Sequence, residues 1–120
     1  MPDGGRIIFV TTGITTFSSV TPNYLLYATC KGAIEQMTRV MAKDLAPKGI
    51  RVNALGPGPT ATEFFFRGKT DQVIEAIKKG NPFGRLGEVE EIADVFMFLC
   101  SKQSSWVNGQ CLLANGGAMV

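Results

Sequence analysis

Gly49-Ile50-Arg51-Val52-Asn53-Ala54-Leu55-Gly56-Pro57-Gly58-Pro59 is the stretch that decides the fold. Ile50 to Leu55 reads as a strand. Two glycines and two prolines in the next four positions can neither continue a strand nor begin an ordinary helix. The strand is therefore expected to stop after Leu55.

Upstream lies a long helical pattern over residues 24–47, with Leu26, Ala33, Ile34, Met37, Val40, Met41 and Leu45 at helical spacing. Pro22 and Asn23 suit its start, and Pro47 and Gly49 its end. Residues 12–22 are rich in Thr, Ser and Gly and read as a loop. Residues 6–11, Arg-Ile-Ile-Phe-Val-Thr, form a continuous apolar run of the kind buried on both faces of a parallel sheet.

Downstream, residues 60–87 are irregular apart from one helix near 70–79. A better defined helix spans 88–101. Ile92, Ala93, Val95, Phe96 and Leu99 give its apolar face, and Glu88, Glu90 and Glu91 crowd its first turn, where the helix dipole favours anions. Asn108-Gly109 is a turn, Gln110 to Ala114 a last short strand, and Asn115-Gly116-Gly117 its end. Strand, helix, strand, helices, strand implies long crossovers, parallel strands and a layered α/β sheet. The 120 residues suit one domain.

Composition removes several function classes. Apolar residues make up 45% and charged residues 18%, so the chain can build a core. The net charge is +2, and the nearest approach to a basic patch is Lys78-Lys79 with Arg67 and Lys69. No aromatic residues interleave with them as a stacking platform, so no nucleic-acid partner is expected. No apolar run of about 18 residues exists, so no membrane span is expected. Ile7-Ile8-Phe9-Val10 is too short for a signal-peptide core. Three cysteines without C-x-x-C spacing suit a reduced, cytoplasmic setting. The chain has no histidine, which excludes Ser-His-Asp and Cys-His catalysis and His-based metal sites; no metal is expected.

Acid–base chemistry must then come from carboxylates, Lys, Cys or Tyr. Tyr27 and Lys31 lie four apart in the long helix and so share a face. Tyrosine ordinarily ionises near pH 10, and a nearby ammonium favours its phenolate. Taken alone, such a pair is more often an ordinary tyrosine beside a helical lysine. The other tyrosine, Tyr24, has Ala28 at its fourth position and offers no rival pair. Context raises the significance of the first pair. Both neighbouring strands end at the carboxyl edge of a parallel sheet, where open α/β folds bind ligands.

With these segments in order, the chain resembles the short-chain dehydrogenase/reductase family from its fifth strand to its last. The resemblance rests on Gly5-Arg6-Ile7-Ile8, Tyr27-Ala28-Thr29-Cys30-Lys31-Gly32-Ala33 and Gly49 to Gly58. It continues through Gly84-Arg85-Leu86-Gly87, Glu90-Glu91-Ile92-Ala93, Val107-Asn108-Gly109-Gln110 and Asn115-Gly116-Gly117. It implies the C-terminal part of a Rossmann-like doubly wound parallel sheet, three strands with flanking helices. It also implies an NAD(P) cofactor, with NADP slightly preferred, and a ketone or secondary alcohol as substrate. Tyr27 matches the general acid/base. Lys31 matches the residue that stabilises the phenolate and holds the nicotinamide ribose. Pro57 and Gly58 match the turn near the nicotinamide, Thr60 a backbone contact to the carboxamide, and Thr62 a side-chain contact to the cofactor.

The family usually places a serine where Thr12 stands. Threonine keeps the hydroxyl but adds a methyl that restricts its rotamer. Thr12 is fifteen residues before Tyr27, slightly more than is common, so Thr11, Ser18 and Ser19 are alternatives. Phe64-Phe65-Phe66 falls where the family carries its substrate lid. One or two of these rings are expected on the core and one over an apolar or aromatic substrate. The long helix and Pro57-Gly58-Pro59-Thr60-Ala61-Thr62 further resemble fungal hydroxynaphthalene-type reductases of secondary metabolism.

The family's glycine-rich pyrophosphate turn does not occur in these residues. Residues 1–120 are therefore expected to be a partial Rossmann-like domain, inactive alone, whose full-length form is a homo-oligomer. The competing reading is a truncated, non-catalytic remnant that associates with a full-length subunit through Met37, Val40 and Met41.

Overall fold

A computed structural model describes residues 4–120. Three strands, β1 (Arg6–Val10), β2 (Arg51–Pro57) and β3 (Cys111–Ala114), form one parallel sheet in the order β1-β2-β3. The α-helices of the described residues are α1 (Leu25–Leu45), α2 (Glu63–Phe66), α3 (Asp71–Lys79) and α4 (Val89–Cys100), of which α1 and α4 pack on the sheet. The α/β architecture expected from the sequence is present. Among the described residues no helix is long and apolar enough to cross a membrane.

β2 is the central strand, and Val52 to Gly56 are all buried. Side chains alternate between faces along a strand. Ile7, Phe9 and Val52 point to the face where Met41, Ala42 and Leu45 of α1 complete a core with Ile50. Arg6 belongs to the other face, and its Nε donates to the Ser101 carbonyl, at the end of α4, at 3.0 Å.

Two asparagines staple the start of the sheet. Asn53 is only 2% exposed, but its amide donates to the Val107 carbonyl and accepts from the Gln110 N–H, each at 3.0 Å. Asn108 accepts from the Val52 N–H at 2.9 Å and donates to the Ala42 carbonyl at 3.0 Å. Buried amide groups pair in this way because leaving one unmet costs about 1–3 kcal/mol.

β2 does not stop at Leu55 but runs on to Pro57, which pairs in register with Ala114. Ala54 and Gly58 donate to the β3 side, to Gln110 and Ala114 carbonyls. The missing donor of Pro57 therefore falls on the β1 side, beyond the end of β1, where no ladder bond is required. The glycines are needed for close approach. A Cβ on Gly56 would stand 2.6 Å from Leu113 Cδ2, and one on Gly58 would stand 2.5 Å from Asn115 Cβ and 2.8 Å from its Cα.

α1 also differs from expectation. Leu26, Ala33, Met37 and Val40 face outward, whereas Met41 turns to the core. The buried stripe is instead Glu35, Thr38 and Ala42. α4 begins with a capping arrangement in which the Glu88 N–H donates to Glu91 Oε2 at 2.8 Å. Arg85 grips the same carboxylate with both Nη atoms, at 2.8 and 2.9 Å. These hydrogen bonds, the Arg85 guanidinium first, hold the Glu91 carboxyl down at about 2.

Two glycines should respond to alanine with opposite signs. Gly58→Ala meets the Asn115 backbone and is expected to destabilise by about 1–3 kcal/mol. Gly32→Ala meets nothing within 4 Å inside α1 and is expected to stabilise by about 0.5–1 kcal/mol. Urea unfolding followed by circular dichroism measures both. Because Glu91 is depressed, its support of the α4 start is present above its ordinary range near 4.5 and is lost as pH falls through about 2. In Arg85→Met an NMR pH titration should find Glu91 moved back up toward 4.5.

Candidate active site

Parallel pairing brings the carboxyl ends of the three strands to one edge, where the turn carrying Thr12 follows β1 and the turn carrying Gly58 follows β2. β1 ends at Val10, and the Thr11 N–H carries the ladder one bond further, to the Leu55 carbonyl at 2.8 Å. Lys31 reaches across from α1 and donates through Nζ to the Val10 carbonyl at 3.0 Å. The same Nζ lies 5.7 Å from the centroid of the Tyr27 ring. An ammonium carries three donors, so this bond leaves two for a ligand. Tyr27 is 46% exposed, and its ring meets Tyr24 edge-on at 6.2 Å.

The hydroxyl candidates separate clearly. Thr12 is 7% exposed and begins a short 3-10 turn over Gly13–Thr16. Its Oγ1 accepts from the Ile14 N–H at 3.4 Å, which leaves its own proton for another acceptor. Thr11 donates instead to Glu35 Oε1 at 2.8 Å. Ser18 and Ser19 lie exposed beyond the turn.

The arm after β2 is held close to the sheet. The Gly58 N–H donates to the Ala114 carbonyl at 2.9 Å. Thr60 forms a parallel bridge with Gly87, and its hydroxyl donates to the Gly58 carbonyl at 2.8 Å. Thr62 Oγ1 caps α2 by accepting from the Phe65 N–H at 3.0 Å, and it too retains a proton to give. Of the three phenylalanines, Phe64 is 83% exposed, while Phe65 is half-buried and stacks edge-on with Phe66 at 5.5 Å. A cavity of about 400 Å³ opens between Pro59, Leu86, Ile92, Leu113 and Asn115. It does not reach Tyr27 or Lys31.

Sequence reasoning missed two residues here. Glu35 holds the loop that carries Thr12, and its signal was an acidic residue four beyond Lys31 on the same helical stripe. Asn115 receives Gly58 at van der Waals distance. The cysteines are free, and burial pushes the Cys111 thiol up, with the Glu35 carboxylate adding to it. A raised thiol pKa makes a poor nucleophile.

This donor set fits the nicotinamide and ribose end of a dinucleotide: an ammonium with two free donors, a phenol, and a backbone turn at the strand ends. Residues 1–119 match the family model for enoyl-(acyl carrier protein) reductase. The chain is 42% identical over 98% of its length to an NADPH-dependent aldehyde reductase 2, chloroplastic, of Arabidopsis thaliana, and covers 42% of that protein. It is 36% identical over 98% of its length to a hydroxynaphthalene reductase-like protein of Metarhizium brunneum, covering 48% of it. In structure it matches the angucycline C-6 ketoreductase LanV with bound NADP at a TM-score of 0.88 and 36% identity, over 99% of this chain and 45% of that one. The chain thus spans under half the length of these relatives. With the family model matched along nearly its whole length and the strand-edge geometry in agreement, the chain belongs to the short-chain dehydrogenase/reductase family of oxidoreductases.

Proposed function

We propose that this chain supplies the acid–base half of an NAD(P)-dependent carbonyl reductase. The observation that carries the reading is that Lys31 Nζ meets both the Tyr27 ring and the carbonyl end of β1. A bound dinucleotide supplies the hydride to the carbonyl carbon. Tyr27 gives its phenolic proton to the carbonyl oxygen, and Lys31 stabilises the phenolate left behind. Thr12 donates its free hydroxyl proton to the same oxygen and orients it. Lys31, with its two remaining donors, would hold the ribose of a bound dinucleotide, and the turn at Pro57–Gly58, the Thr60 backbone and the Thr62 hydroxyl would bound its nicotinamide.

NADP is favoured over NAD because one relative is NADPH-dependent and another carries bound NADP. An apolar or aromatic substrate suits the exposed Phe64 on the arm after the turn. Secondary metabolism is suggested by the ketoreductase and hydroxynaphthalene reductase-like relatives. Free thiols suit a reduced compartment, of which the cytoplasm is the simplest, although one relative is described as chloroplastic. Leu26, Met37 and Val40 on the outer face of α1 are 77%, 40% and 57% exposed and would serve a homo-oligomer. The same face serves the second reading, a non-catalytic chain paired with a full-length relative.

NADPH oxidation with an aromatic ketone tests both readings, on the chain alone and on the chain co-expressed with the dinucleotide-binding half of a relative. Turnover is expected in the second sample. There Tyr27→Phe should lower kcat by about 10²–10⁴ with unchanged circular dichroism. Unchanged kcat removes Tyr27 from proton transfer, and turnover in neither sample favours the non-catalytic reading.

A further inference from the structure

Glu35 is a carboxylate that the proposed chemistry does not use. It is 8% exposed, on the inner stripe of α1. Among the described residues the three ion pairs are Arg67–Glu63, Lys78–Glu75 and Arg85–Glu91, so no cation at ion-pair distance compensates it. A carboxyl is costly at such a place unless hydrogen bonds replace its water. Its hydrogen-bond partners are two hydroxyls of one loop. Thr11 Oγ1 donates to Glu35 Oε1 at 2.8 Å, and Thr15 Oγ1 donates to the same oxygen at 2.6 Å. Thr15 Oγ1 also lies 3.1 Å from the Thr12 carbonyl.

The two donors bracket Thr12, Gly13 and Ile14. Tyr27, Lys31 and Glu35 follow one another at four-residue spacing, so one helical stripe carries all three. That stripe holds the end of β1 and the turn after it: Val10 through Lys31 Nζ, and Thr11 and Thr15 through Glu35, with Thr11 Oγ1 also 3.4 Å from the Lys31 carbonyl. We propose that Glu35 is a positioning residue: its single oxygen, shared by Thr11 and Thr15, fixes the turn that aims the Thr12 hydroxyl at the substrate oxygen. The proposal rests on the reductase reading for its catalytic consequence, but the holding of the turn is independent of it. Glutamine keeps a carbonyl oxygen where both hydroxyls point, whereas leucine offers neither acceptor.

Amide hydrogen exchange on the purified chain reads the turn directly. Glu35→Leu is expected to speed exchange at Ile14 and Phe17 at least tenfold, and Glu35→Gln to restore most of the protection. Thr15→Val, which removes one donor and leaves the helix intact, should give a smaller increase of the same kind. Unchanged exchange in both Glu35→Leu and Thr15→Val overturns the proposal. In the co-expressed enzyme Glu35→Leu should lower kcat about 10–100-fold while the KM for NADPH stays within about twofold, because misplacing a positioned group costs rate before binding. Recovery of kcat in Glu35→Gln supports positioning. A Gln variant as slow as the Leu variant, with its turn protected, overturns it in favour of a role for the charge. If the wild-type complex does not turn over, the reductase reading fails, while the exchange experiment still decides whether Glu35 holds the turn.

Discussion

Everything in this fold depends on β2 being enclosed. A strand paired on both edges and covered on both faces must satisfy each polar group internally. The chain meets that demand with backbone ladders to β1 and β3 and with the amides of Asn53 and Asn108. Enclosure in turn fixes direction. With all three strands parallel, their carboxyl ends share one edge, and the residues after each end become neighbours without being close in sequence.

α1 translates that edge into chemistry. It is a helix with two apolar aspects. One carries Met41, Ala42 and Leu45 into the core near the start of the sheet. Toward its N-terminus the same stripe changes character, passing through Thr38 and Glu35 to Lys31 and Tyr27. The gradient from dry to polar runs along the helix in the direction of the sheet's open edge. Burial therefore stabilises one end of the helix while hydrogen bonds orient the other.

The three strands, the long helix and the helix before the last strand are legible because each has a strong local signal, in apolar periodicity and end residues; their side-by-side order is not local and comes from the structure. Tyr27 and Lys31 were legible for the same reason, since four-residue spacing on a helix guarantees a shared face. Several expectations failed on physical grounds: the segment read as irregular holds the one-turn helix α2, and β1, read as buried on both faces, is only partly covered, with Val10 51% exposed. The run Gly56-Pro57-Gly58-Pro59 predicts a strand end at Leu55, but β2 reaches Pro57, because a proline breaks a ladder only where its N–H is needed and neighbouring strand lengths decide that. Met37, Val40 and Met41 were read as one outer face, yet the helix phase, set by contacts with β1 and β2, turns Met41 inward. Apolar residues on both sides of a helix leave that phase ambiguous in sequence. Among the hydroxyls, Thr12 and Thr11 could be told apart only once Glu35 was seen to occupy the second. The roles of Pro57, Gly58, Thr60 and Thr62 came from resemblance, and what the structure adds is the local bonds that hold them.

The contact between Gly58 and Asn115 has a wider meaning. Because no side chain fits between them, the turn after β2 and the turn after β3 are effectively one piece, anchored again by the Thr60–Gly87 bridge. Beyond Thr62 the chain leaves that anchorage as a short arm bearing Phe64 to Phe66. A protein built this way separates a rigid part of its edge from an adaptable one. The anchored segment tolerates little drift, since its spacing is set by backbone against backbone. The arm, with Phe64 83% exposed, can change length and composition without disturbing the packing of the sheet.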